Sequence, residues 1–112
     1  MPELTIFHKI LRKEIPAMFV YEDEHVVGFL DIHPKAPTHV LLVPKTFVAS
    51  IADLTEESAS VMAKLSLAAK KFADAHGIDG YRLQVNVGAG GGQEVFYLHI
   101  HFLSQQPLKT VV

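Results

Sequence analysis

Cysteine is absent from the 112 residues, which excludes disulfides, a thiolate nucleophile and cysteine-based zinc sites, and suits a reducing compartment. A surplus of positive charge is missing too. Ten Lys and Arg against twelve Asp and Glu leave a formal net charge of -2, so no broad attraction for a nucleic-acid polymer is expected. No apolar run is long enough to span a bilayer, and Met1-Pro2-Glu3-Leu4 lacks the basic start and apolar stretch of a signal peptide. With 49% hydrophobic residues and no internal repeat, a single cytoplasmic domain over residues 1–112 is expected, ending in a tail from about 104 to 112.

What is present reads as short elements. Leu4, Phe7, Ile10 and Leu11 have helical spacing, and Ile15-Pro16 closes that segment. Met18 to Tyr21 and Val26 to Leu30 are apolar runs joined by Glu22-Asp23-Glu24-His25, which predicts a hairpin. Two prolines stiffen the loop from Asp31 to His39, and Val40 to Val43 then reads as a strand covered on both faces. Thr55 with Glu56 and Glu57 predicts an N-cap, followed by a long helix burying Val61, Leu65, Ala68, Ala69 and Phe72 and stopping at His76-Gly77. Tyr81 to Val87 and Val95 to Leu103 both alternate as strands. The order predicts an α+β fold with a mostly antiparallel sheet of about five strands, one long helix and one short one.

The last of these runs carries the chemistry. In Val95-Phe96-Tyr97-Leu98-His99-Ile100-His101-Phe102-Leu103 the period of two sends Phe96, Leu98, Ile100 and Phe102 to one face and Tyr97, His99 and His101 to the other. Ahead of it, Gly88-Ala89-Gly90-Gly91-Gly92-Gln93 is flexible enough to turn sharply and aim several N–H groups at an anion, although a glycine run is more often a plain turn. Two readings follow. In one, an imidazole attacks phosphorus and forms a phosphoramidate that water later cleaves. In the other, His39, His99 and His101 hold zinc; this one lacks a carboxylate in the pattern to orient the rings.

With Asp31-Ile32, Ala36-Pro37-Thr38-His39, Asn86, Gly91-Gly92-Gln93 and the final strand assembled, the chain resembles the histidine triad family, most closely its nucleotide-binding branch. The likeness begins at Ile6-Phe7-His8-Lys9-Ile10 and covers nearly the whole chain, with Tyr97 standing where the motif has its first histidine. It implies a HIT-like fold and a homodimeric hydrolase or transferase, without metal or other cofactor, acting on purine nucleoside phosphoramidates or related AMP or GMP derivatives. The alternative is a purine nucleotide-binding module with weak or no catalysis. By position, His99 is the expected nucleophile, His101 a donor to phosphate and leaving group, and His39 a support for the imidazole cluster. Asn86 and the Gly92-Gln93 backbone would hold phosphate, Glu94 and Val95 would flank it, and Asp31 would accept the ribose hydroxyls. Phe7, Ile10, Phe29 and Ile32 would line the base pocket.

Each role has a plainer counterpart. Phe7, Ile10, Phe29 and Ile32 fit a core, Asp31 a turn cap, Asn86 the backbone of the glycine loop, and Glu94 solvent. The phenol of Tyr97 is expected to exchange a hydrogen bond with His39. His8, His25, His33 and His76 are expected at the surface.

Overall fold

Asp23 shows how the hairpin forms. Its carboxylate accepts from the Tyr21 hydroxyl and from the amides of His25 and Val26, turning β1 (Phe19–Glu22) back onto β2 (Val26–Leu30). In the computed structural model, which describes residues 4–108, β3 (Thr38–Pro44) pairs antiparallel with β2 and then with β5 (Ile100–Ser104). The short β4 (Arg82–Gln84) completes a five-stranded antiparallel sheet in the order β1-β2-β3-β5-β4. The sheet is closely packed at Gly28, where a Cβ would meet Leu42 at 3.0 Å and Tyr21 at 3.1 Å. One short helix, α1 (Ile6–Leu11), and one long helix, α2 (Ser60–Ala75), complete the expected α+β architecture.

Strand period decides which side chains meet which helix. Val26, Val40, Leu42, Ile100 and Phe102 point to one face and pack against Val61, Leu65, Ala69 and Phe72 of α2. Val27, Phe29, Leu41 and Val43 point to the other and pack with Phe7 and Ile10 of α1 and with Tyr97. Leu41 faces His101 across β3 and β5, and His39 faces Leu103, so the strand histidines share the α1 face, diagonal to one another.

Four expectations change. The final strand begins at Ile100, not Val95, because the backbone just before it is drawn toward residues 48–49: the Leu98 amide donates to the Val48 carbonyl at 2.7 Å, and Gln93 Nε2 bridges the carbonyls of Ala49 and Val95. The alternation from Tyr81 to Val87 yields only three strand residues at a sheet edge, leaving Tyr81, Leu83 and Val87 exposed. Thr55 caps a separate turn through Ser58, and α2 starts later, at Ser60, with no side-chain cap. His8 and His76 are half-buried; His8 packs against Phe47 and Tyr97, and His76 against Phe72. Of the expected tail, the part from residue 109 on lies outside the described residues. Gln106 within it is fastened, its side-chain oxygen accepting from the amides of Asp79 and Gly80.

Candidate active site

A backbone carbonyl fixes the protonation of His99. The ring is 7% exposed, and its Nδ1 lies 2.7 Å from the carbonyl oxygen of Tyr97. A carbonyl only accepts, so the proton sits on Nδ1 and Nε2 keeps its lone pair. Phe7 braces the ring edge-on, centroids 5.0 Å apart. The result is a neutral, oriented imidazole with a free nucleophilic nitrogen.

An amide fixes the neighbouring pair in the opposite sense. The Lys35 N–H donates to Nδ1 of His39 at 3.1 Å, which forces the His39 proton onto Nε2. That nitrogen lies 3.0 Å from Nδ1 of His101, which must therefore accept and carry its own proton on Nε2. His101 becomes a donor beside the free Nε2 of His99. Burial lowers the pKa of all three rings, that of His101 to about 4, with the neighbouring His99 and His39 adding to the effect there. At neutral pH the cluster is uncharged.

His99 and His101 open onto a cavity of about 330 Å³, a size suited to a small ligand. Phe7, Ile10 and Phe29 line it and also belong to the core beneath the sheet. Ile32 is at the rim, 84% exposed. Asp31, Gly92, Glu94, Val95, His99 and His101 complete the wall toward the imidazoles, while Leu41, Ile15 and Ala17 are apolar contributors that strand period and loop position left unmarked. Asp31 spends one carboxylate oxygen on the His33 amide, as a turn cap does, and leaves the other 3.5 Å from His39 Nε2. The expected bond between Tyr97 and His39 is not made. The Tyr97 hydroxyl instead donates to the Pro44 carbonyl at 2.6 Å, and its ring packs between Phe47 and His8.

The model of the HIT domain family matches residues 12–108. The chain belongs to the HIT domain family. It is similar to the purine nucleoside phosphoramidase of Escherichia coli K12, with 44% identity covering 100% of this chain and 96% of the relative. Among solved structures, a histidine triad protein from Clostridium difficile superimposes with a TM-score of 0.88 at 38% identity, covering 98% of both chains. A HIT family hydrolase from Legionella pneumophila Philadelphia 1 gives 0.85 at 45% identity, covering 90% of this chain and 92% of that one.

Within this HIT domain the glycine loop differs from an open anion nest. The amides of Gly91 and Gln93 donate to the Gly88 carbonyl and that of Gly92 to Ala89, so the loop spends three of its amides on itself. Asn86 joins it, its Nδ2 donating to the Gly91 carbonyl at 2.7 Å, and the Gln93 side chain is spent on Gly88, Ala49 and Val95. Gly92, at φ +83°, takes the left-handed turn that carries the chain to Glu94. Among the described residues the amides of Glu94 and Val95 make no backbone hydrogen bond, and both residues line the cavity. The unpaired amides that border the cavity therefore come after the glycines, since Ala89 and Gly90 do not line it.

The zinc reading meets a specific obstacle. Ligand atoms of Asp31, His39 and His101, rather than the expected His39, His99 and His101, converge within 4.8 Å of one another, so a carboxylate is present after all. A cation there would take His39 through Nε2 and push its proton to Nδ1, against the Lys35 N–H. Lys35, His39 and His101 form a hydrogen-bond relay that a metal ion would break.

Proposed function

We propose that this HIT domain hydrolyses purine nucleoside phosphoramidates through a covalent nucleotidyl-histidine intermediate. The observation that carries the reading is the pair of opposed tautomers: a lone pair on Nε2 of His99, freed by the Tyr97 carbonyl, beside an Nε2–H on His101, fixed by the relay from Lys35. In the first step Nε2 of His99 attacks the α-phosphorus and the P–N bond breaks. The amine departs with that electron pair and a proton from water, while His101 and the amides of Glu94 and Val95 stabilise the phosphoryl oxygens. In the second step water adds to phosphorus, the P–Nε2 bond breaks, a proton passes to solvent, and neutral His99 returns with a nucleoside monophosphate as product. The purine lies among Phe7, Ile10 and Phe29 under Ile32, and the free Asp31 oxygen accepts from the ribose hydroxyls.

The name of the Escherichia coli relative supports the substrate class. The proposal extends to one domain along residues 1–112, a homodimer and a cytoplasmic location. In support, cysteine is absent and no helix among the described residues is long and apolar enough to cross a membrane. The deciding experiment compares hydrolysis of adenosine 5′-phosphoramidate with binding of AMP. Wild type should turn over and give an AMP-protein adduct by mass spectrometry; His99→Ala should bind AMP, form no adduct and lose at least about 10³-fold in kcat. AMP binding without turnover in the wild type identifies a binding module instead.

A further inference from the structure

The carbonyl that sets the His99 tautomer belongs to a segment outside the sheet ladder; Gln93 Nε2 holds the segment at the Val95 carbonyl, 3.0 Å away, and two further bonds fasten it nearer His99. One is the Leu98 amide to the Val48 carbonyl, at 2.7 Å. The other is the hydroxyl of Tyr97, which donates to the carbonyl of Pro44, the last residue of β3, at 2.6 Å. The side chain is 1% exposed and its ring is packed by Phe47 and His8, with centroids 5.0 and 4.8 Å away. Phe7, which braces His99, also approaches the Tyr97 ring, at 6.4 Å. A phenol oxygen stands farther from its Cα than either nitrogen of an imidazole, so a histidine on the same backbone falls short of Pro44.

We propose that Tyr97 is a positioning residue for the nucleophile, its hydroxyl tying the segment to β3 and thereby holding the carbonyl that keeps the His99 proton on Nδ1. This rests on His99 acting as the nucleophile of the phosphoramidase reading, yet the tautomer can be observed without any turnover. Loosening the carbonyl lets the proton move to Nε2, the nitrogen that must attack. The loss then falls on the chemical step and not on nucleotide binding.

The test is Tyr97→Phe, which removes one oxygen and keeps the ring. Side-chain ¹H–¹⁵N correlation spectra should show His99 protonated on Nδ1 in the wild type and partly on Nε2 in the variant. With adenosine 5′-phosphoramidate, kcat should fall about tenfold, the size expected of one buried hydrogen bond, while KM stays within about twofold. Tyr97→His should share the loss. A lower melting temperature with an unchanged His99 spectrum and an unchanged kcat overturns the proposal, since a purely structural side chain behaves that way. If the wild type proves inactive, the phosphoramidase reading fails, and the spectra alone still decide the role of Tyr97. Should Tyr97→Phe not fold, 3-fluorotyrosine at position 97 keeps the shape and alters donor strength; an unshifted His99 ¹⁵N signal then overturns the proposal.

Discussion

At the scale of single residues, the site is a set of rings whose protons are assigned by the backbone. The same burial that keeps them neutral should make the fold sensitive to acid. In the unfolded chain each histidine titrates near its ordinary 6.5, whereas His101 in the fold titrates at about 4, and His99 and His39 are also held low. Between those values the unfolded state binds protons that the folded state does not, so stability is complete above pH 6.5 and falls as pH drops toward 4. Glu22 and Asp23, whose carboxyls are also held low, act only below their ordinary 4.5 and 3.8, so the interval from pH 7 to 5 isolates the imidazoles. Because the ring of His101 is partly exposed, its share at pH 5 is discounted to on the order of 1 kcal/mol. Urea midpoints at the two pH values measure this, and His101→Asn should flatten the slope; equal midpoints for the wild type would refute it. The residue types of the site were legible beforehand because imidazoles on a strand, a carboxylate before a stiff loop and a glycine run each carry chemistry in their side chains. What was hidden sits in the backbone: the Lys35 amide and the Tyr97 carbonyl have no signature in side-chain identity, and neither does the internal bonding that occupies the amides of Gly91, Gly92 and Gln93.

At the scale of elements, α1 shows how a short helix persists. Six residues are too few to be helical alone, so its ends and its buried face must hold it. Thr5 and His8 form a reciprocal cap: the Thr5 hydroxyl accepts from the His8 amide at 3.3 Å, and Nδ1 of His8 accepts from the Thr5 amide at 2.9 Å. Capping boxes are read from a glutamate or glutamine at the third helical position, so a histidine there went unnoticed. Thr5→Ala should cost about 1 kcal/mol of stability. Since Phe7 and Ile10 line the cavity, it should also weaken AMP binding severalfold, which calorimetry would detect; a loss of stability with unaltered AMP affinity would separate the cap from the site. Elements with a strong period and a buried face, β2, β3 and α2, were readable because hydrophobicity alone dictates them. Residues 95–99 were not, since their alternation is that of a strand while their hydrogen bonds go to Val48, Pro44 and the Gln93 side chain.

At the scale of the whole molecule, the sheet has two edges that differ in kind. The β1 edge is guarded by charge, with Glu22 paired to Lys45 and the Lys13 ammonium 4.8 Å from the Phe19 ring. The β4 edge shows apolar side chains instead: Tyr81, Leu83 and Val87 are each between 38% and 40% exposed. An apolar edge invites another strand. A second copy offers one of equal length and composition, and antiparallel pairing of β4 with itself satisfies a two-fold axis without further adjustment. Three strand residues alone fall short of the roughly 800 Å² per partner of a stable interface, so α2 must contribute. It is placed to do so, because Lys70 of α2 lies within electrostatic reach of Tyr81, and Leu67, one helical turn earlier, is 54% exposed. Sedimentation at micromolar concentration should therefore report a dimer. Leu83→Lys should shift it to monomer by placing two like charges across the axis, while Leu67→Lys should weaken it less. A monomeric wild type, or a Leu83→Lys variant as dimeric as the parent, would mean that the pair forms elsewhere or not at all.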